Sequence, residues 1–62
     1  MKVIIVDDEK NARLALRGVL EQEFSEVNIV DECKDVPTAL ISIKKHEPEL
    51  VFLDISMSGY SG

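Results

Sequence analysis

The sequence has no tryptophan, a single cysteine, two prolines and three glycines, and aromatic residues make up only 5% of it. Its one thiol, Cys33, cannot form a disulfide within the chain or supply a cysteine-based zinc cluster. A reducing compartment fits that usage, and a cytoplasmic protein is the simplest expectation. Basic residues are outnumbered: seven Lys and Arg stand against twelve Asp and Glu, a formal net charge of -5. This balance argues against a surface that neutralises phosphates, so the segment is not expected to bind nucleic acid. The N-terminal apolar stretch, Val3-Ile4-Ile5-Val6, turns acidic after four residues. It is too short for a signal peptide's apolar region or a membrane span. No low-complexity tract points to disorder. The 62 residues make at most one small domain, and a chain of this size buries only about 60% of the surface it exposes when unfolded.

What remains is an alternation of two periodicities. Residues 2–6 are a continuous β-branched run, which reads as a strand buried on both faces. From Lys10 to Phe24 the period changes: Ala12, Ala15, Leu16, Val19, Leu20 and Phe24 recur at helical spacing, with Arg13, Arg17, Glu21 and Glu23 between them. Gly18 weakens that helix by roughly 1 kcal/mol relative to alanine and is either tolerated or a point of close packing. Val27 to Cys33 is a weaker strand, interrupted by Asn28, Asp31 and Glu32, a composition that suits a sheet edge. Asp35 is placed to cap a second helix, with Pro37 in its first turn. Val36, Ala39, Leu40 and Ile43 form its apolar stripe; Lys44, Lys45 and His46 lie at its solvated C-terminal end, and Pro48 marks the stop. Leu50 to Leu53 is a third, wholly apolar strand, and residues 55–62 read as a loop of small residues.

Strand, helix, strand, helix, strand predicts an α/β fold with a parallel sheet and right-handed crossovers. With the polar strand at an edge and the apolar strands adjacent, the order is 2-1-3, with one helix on each face. The crevice at the carboxyl ends of strands 1 and 3 is then a topological switch point, where ligands bind in open α/β sheets. Asp7, Asp8 and Asp54 would line it. Two carboxylates about 4 Å apart repel by roughly 4 kcal/mol at an effective dielectric near 20, so three of them call for a cation, protons or hydrogen-bond donors. An all-oxygen site with two or three carboxylates suits Mg²⁺. Asp54, followed by a loop rich in backbone amides, is the better nucleophile toward a phosphoryl group; Asp7 and Asp8 are better placed as ligands. Paired aspartates ahead of a helix are commonly caps. Here each acidic site also follows a four-residue apolar run, and that coincidence favours the cation site. No His or basic residue is placed to activate Cys33, which reads as a small strand residue.

Val3-Ile4-Ile5-Val6-Asp7-Asp8-Glu9, together with Pro48-Glu49-Leu50-Val51-Phe52-Leu53-Asp54-Ile55-Ser56-Met57 and the following Gly59 and Gly62, resembles the receiver domain of two-component response regulators, with wording most similar to the LytTR type. The resemblance implies a truncated flavodoxin-like βαβαβ fold over residues 1–62. By it, Asp54 accepts a phosphoryl group from the phosphohistidine of a sensor histidine kinase. Asp8 coordinates Mg²⁺ directly, Asp7 supports it through water, and the backbone carbonyl of Ser56 supplies another ligand. Ser58 departs from the proline usual after Met57, which leaves that loop less rigid. The chain is expected to be a phosphoacceptor and not an enzyme: an aspartate-nucleophile phosphotransferase would need a general acid two residues beyond Asp54, and Ser56 is poorly suited.

A receiver is about twice this length, so the chain is expected to be its N-terminal half, without the later hydroxyl and lysine residues that read the phosphoryl group. A DNA-binding output domain would lie outside it. Strand 3 would become an exposed apolar edge, and the uncovered sheet faces would add an apolar patch, so self-association through either is expected. The alternative function is a self-associating structural fragment with a vestigial acidic metal pocket and no phosphorylation.

Overall fold

The computed structural model describes residues 1–54 and contains β1 (Lys2–Asp7), α1 (Lys10–Glu23), β2 (Asn28–Cys33), α2 (Val36–His46) and β3 (Leu50–Asp54). The three strands are parallel in the order β2-β1-β3, as the distribution of polar residues predicts. β1 lies in the middle because it is the strand that can be covered on both faces: Val3, Ile4, Ile5 and Val6 are each 0% exposed. Burying side chains of this size stabilises the fold by roughly 1.5–3 kcal/mol apiece.

Alternation along β1 sorts the core into two layers. Val3 and Ile5 pack with Leu20 of α1, joined by Leu16, Val27, Ile29 and Phe52. Ile4 and Val6 pack with Cys33 and with Ala39 of α2, joined by Val30, Ile43 and Val51. One helix therefore covers each face. β2 departs from regular pairing: Val3 stands opposite Ile29 but Ile4 stands opposite Asp31, so Val30 is an extra residue in a bulge. The inserted residue shifts the later side chains by one step. Asp31 and Cys33 consequently face α2, while Glu32 faces the arginines of α1.

The helices form as predicted, with differences at their surfaces. Asp35 caps α2 by accepting from the Thr38 N–H at 2.9 Å, which lowers its carboxyl below the usual range, and Pro37 occupies the first turn. α2 stops at Glu47, whose φ of 49° is left-handed and whose N–H donates to the Ile43 carbonyl at 2.8 Å. Glycine usually fills that position; glutamate does so here immediately before Pro48. His46 is half-buried rather than solvated, and its carbonyl accepts from Lys2 Nζ at 3.4 Å. The predicted apolar stripes are only partly covered. Leu20 and Ala39 are buried, but Ala15, Val19, Phe24, Val36 and Leu40 are exposed, because a three-stranded sheet is too narrow to cover them. Ser42, absent from the predicted stripe, is buried in place of Leu40. Gly18 is not a close packing point: a Cβ there would meet nothing within 4 Å. Among the described residues no helix is long and apolar enough to cross a membrane.

The Ser42 hydroxyl donates to Asp31 Oδ2 at 2.5 Å, and the Glu32 N–H donates to Asp31 Oδ1 at 2.8 Å. The Ser42 bond, above all, draws the Asp31 carboxyl below the ordinary aspartate range, against the opposing effect of burial. A depressed carboxyl contributes stability above its unfolded value, about pH 4, and loses it as pH falls through the lower folded value. Ser42→Ala is therefore expected to cost about 1.5 kcal/mol at neutral pH. It should also flatten the acid limb: between pH 5 and 2 the urea midpoint falls less in the variant than in the parent.

Candidate functional site

β1 and β3 run in register from Val3 opposite Leu50 to Asp7 opposite Asp54, so both strands end on an aspartate at the same level. Neighbouring strands lie about 4.8 Å apart, and residues paired in register project to the same side of a sheet. By alternation from Ile5 and Phe52, that side is the one covered by α1. Asp7 is 6% exposed, whereas Asp54 and Asp8 are exposed at the rim. The three predicted site acids thus fall at the carboxyl ends of adjacent strands and in the turn that follows β1. Ser56, the remaining predicted ligand, lies outside the described residues, as do Ser58 and the loop after β3.

The turn after β1 is held by its own polar groups. Asp7 Oδ1 accepts from the Glu9 N–H at 2.9 Å, an aspartate turn that leads the chain directly into α1. Glu9 occupies the N-cap position without a side-chain capping bond, and no acidic residue lies within the first turn. The acids preceding α1 sit at the positive end of its dipole, where negative charge is favoured.

The sequence pattern did not single out Arg13 as a site residue. Its guanidinium donates to the Asp7 backbone carbonyl at 2.6 Å, and its Nε lies 3.8 Å from Glu32 Oε1. Glu32 also pairs with Arg17, which pairs with Glu21 one helical turn along at 3.2 Å. These two glutamates raise the Arg17 guanidinium above its already high value. In sequence Arg13 is one more polar residue on the solvent side of a helix. Only the β2 bulge, which turns Glu32 toward α1, could have suggested its partner.

Cys33 is 2% exposed, and burial pushes its thiol up, in keeping with a packing role. Among the described residues, no three His, Cys, Asp or Glu side chains come together as a metal-holding group. Magnesium asks for less than that: it keeps several waters and commonly takes one or two protein carboxylates. The donor set at the ends of β1 and β3 is all oxygen and anionic, and it fits such an ion.

Residues 3–62 match the family described as the response regulator receiver domain. The chain is similar to the transcriptional regulatory protein BtsR of Escherichia coli (strain K12), with 45% identity over 62 residues, covering 100% of this chain and 26% of that protein. It is 44% identical over 62 residues to the sensory transduction protein LytT of Bacillus anthracis, covering 100% of this chain and 25% of that one. An uncharacterized response regulatory protein of Shewanella oneidensis is 46% identical over 59 residues, 95% of this chain and 25% of its own length. The chain spans about a quarter of the length of these curated relatives. No solved structure gave a significant match. With the family match running through all three strands and the strand order agreeing with it, the chain belongs to the response regulator receiver domain family.

Proposed function

We propose that this chain is the phosphoacceptor part of a receiver, with Asp54 taking a phosphoryl group from the phosphohistidine of a sensor histidine kinase. The observation that carries the reading is the in-register pairing of Asp7 with Asp54 at the carboxyl ends of two parallel strands. Asp54 is exposed at the rim and open to an incoming donor, while Asp7 is buried and held by the Glu9 N–H. An Asp54 carboxylate oxygen attacks phosphorus, the bond from phosphorus to the imidazole nitrogen breaks, and the released imidazole retains that electron pair. The result is an aspartyl phosphate on a chain that is altered by the transfer and does not turn over as an enzyme.

Mg²⁺ fits as the companion ion, held by Asp8, Asp54 and the Ser56 carbonyl, with Asp7 bound through water; when present it would offset the charge on the transferring oxygens. Such a role belongs on the cytoplasmic side of a membrane. A longer protein carrying this segment would pass the signal to DNA through a further domain.

Incubation with acetyl phosphate and Mg²⁺ is expected to add the mass of one phosphoryl group to the chain and none to Asp54→Asn, read by intact mass. Equal labelling of the two proteins counts against the assignment. A second reading, an assembly module that never becomes phosphorylated, is favoured by the open edge of β3, where Leu50 and Leu53 are 41% and 64% exposed. Association without any mass gain in the parent chain would support it.

A further inference from the structure

The acidic turn has a brace that the phosphoacceptor chemistry does not by itself require. The Asp7 carbonyl is the oxygen of the peptide linking Asp7 to Asp8. A planar peptide moves as one unit, so fixing this oxygen also fixes the direction in which Asp8 leaves the strand. Arg13 holds that unit directly through the Asp7 carbonyl at 2.6 Å, and the Glu9 N–H, reaching Asp7 Oδ1 at 2.9 Å, closes the turn just beyond it. The Arg13 and Glu32 side chains are only 18% and 21% exposed, so the pair is shielded more than a surface ion pair. Glu32 is in turn held by Arg17. The brace therefore runs from the carboxyl end of β1 through the first turns of α1 to the edge strand β2. Charge matters as well as reach, because Arg13 brings a fixed cation to the Asp7 carbonyl, next to the acidic turn.

Resting on the phosphoacceptor reading above, we propose that Arg13, braced by Glu32, is a positioning residue that sets the Asp7–Asp8 peptide for divalent-cation binding at the mouth of β1 and β3. Partners that orient metal ligands from behind typically change metal affinity by 10–100-fold when removed.

The test is an Mg²⁺ titration of the chain, followed by the amide resonances of Asp7, Asp8 and Asp54. Arg13→Gln is expected to weaken the Mg²⁺ midpoint by about tenfold or more, whereas Arg13→Lys, which keeps a cationic donor, recovers most of that loss. Amide shifts at Leu20 and Cys33 should stay unchanged in both variants, which a general loosening of the fold would not allow. Parent affinity in Arg13→Gln, or the same loss in Arg13→Lys as in Arg13→Gln, overturns the proposal. If Arg13→Gln does not fold, Glu32→Gln decides: it leaves the Asp7 bond in place but removes its anionic support, and an unchanged midpoint again overturns the proposal. A parent chain whose acidic amides ignore Mg²⁺ overturns the metal-assisted reading itself and this inference with it; that result is separate because it needs no variant.

Discussion

Ile5→Ala is expected to remove a large fraction of the stability of the chain. Ile5 is 0% exposed at the middle of the central strand, opposite Glu32 on one side and Phe52 on the other, and it packs with Val3 and Leu20 beneath α1. Truncating a buried isoleucine to alanine costs about 2–5 kcal/mol. At 0.05–0.15 kcal/mol per residue, a domain of this length holds only roughly 3–9 kcal/mol in total. One substitution therefore consumes a large fraction of the whole. The matched control is Ile41→Ala, the same chemical change at a side chain that is 71% exposed on α2, where the shift should stay within about 0.5 kcal/mol. Urea titration followed by far-ultraviolet circular dichroism reads both. Similar midpoints for the two variants would mean that the two-layer core around β1 does not carry the fold.

The second large effect concerns the outer edge of β3. Among the described residues β3 pairs only with β1, so its other side presents unpaired backbone groups alongside the exposed Leu50 and Leu53. Such an edge recruits another strand. The chain is therefore expected to self-associate across a twofold axis, each copy contributing the same strand. In a symmetric pair Leu53→Lys acts twice. At about 1.5 kcal/mol per leucine withdrawn from burial, the loss is about 3 kcal/mol per dimer, or roughly a hundredfold in dissociation constant. Sedimentation velocity over a concentration series should show the parent associating and Leu53→Lys remaining a monomer. A folded parent monomer at high micromolar concentration would remove the self-association claim and leave the acidic site untouched.

Much of this architecture could be read from residue order because the two kinds of apolar pattern do not overlap. Val3-Ile4-Ile5-Val6 and Leu50-Val51-Phe52-Leu53 can each be covered on both faces, and the polar interruptions at Asn28, Asp31 and Glu32 push β2 to an edge. Those two constraints, with the need to bring Asp7 and Asp54 to one mouth, determine the strand order. The cap at Asp35 and the stop at Pro48 were visible for the same reason: their chemistry is local. Properties that depend on distant packing were hidden. Val19 and Leu40 keep helical spacing yet stay exposed, because a stripe in the sequence does not say how wide the facing sheet is. Glu47 adopts a left-handed conformation that its residue type does not announce. Arg13 could be recognised as a brace only after Glu32 was seen on its side of the sheet.

The extra residue in β2 has a consequence for how this segment can change. On both sides of Val30 the strand alternates in step with β1, because the bulge takes up the one residue that would otherwise put its second half out of step. Deleting Val30 would restore regular pairing and leave Asp31, Glu32 and Cys33 opposite the same residues of β1. Closing the bulge without a deletion would instead turn the thiol of Cys33 toward the arginine pair and bring the carboxylate of Glu32 into the oily layer under α2. Insertions and deletions here are therefore not neutral changes of length, and removal of Val30 alone should be far better tolerated than removal of two residues, which would turn Glu32 and Cys33 to the opposite faces.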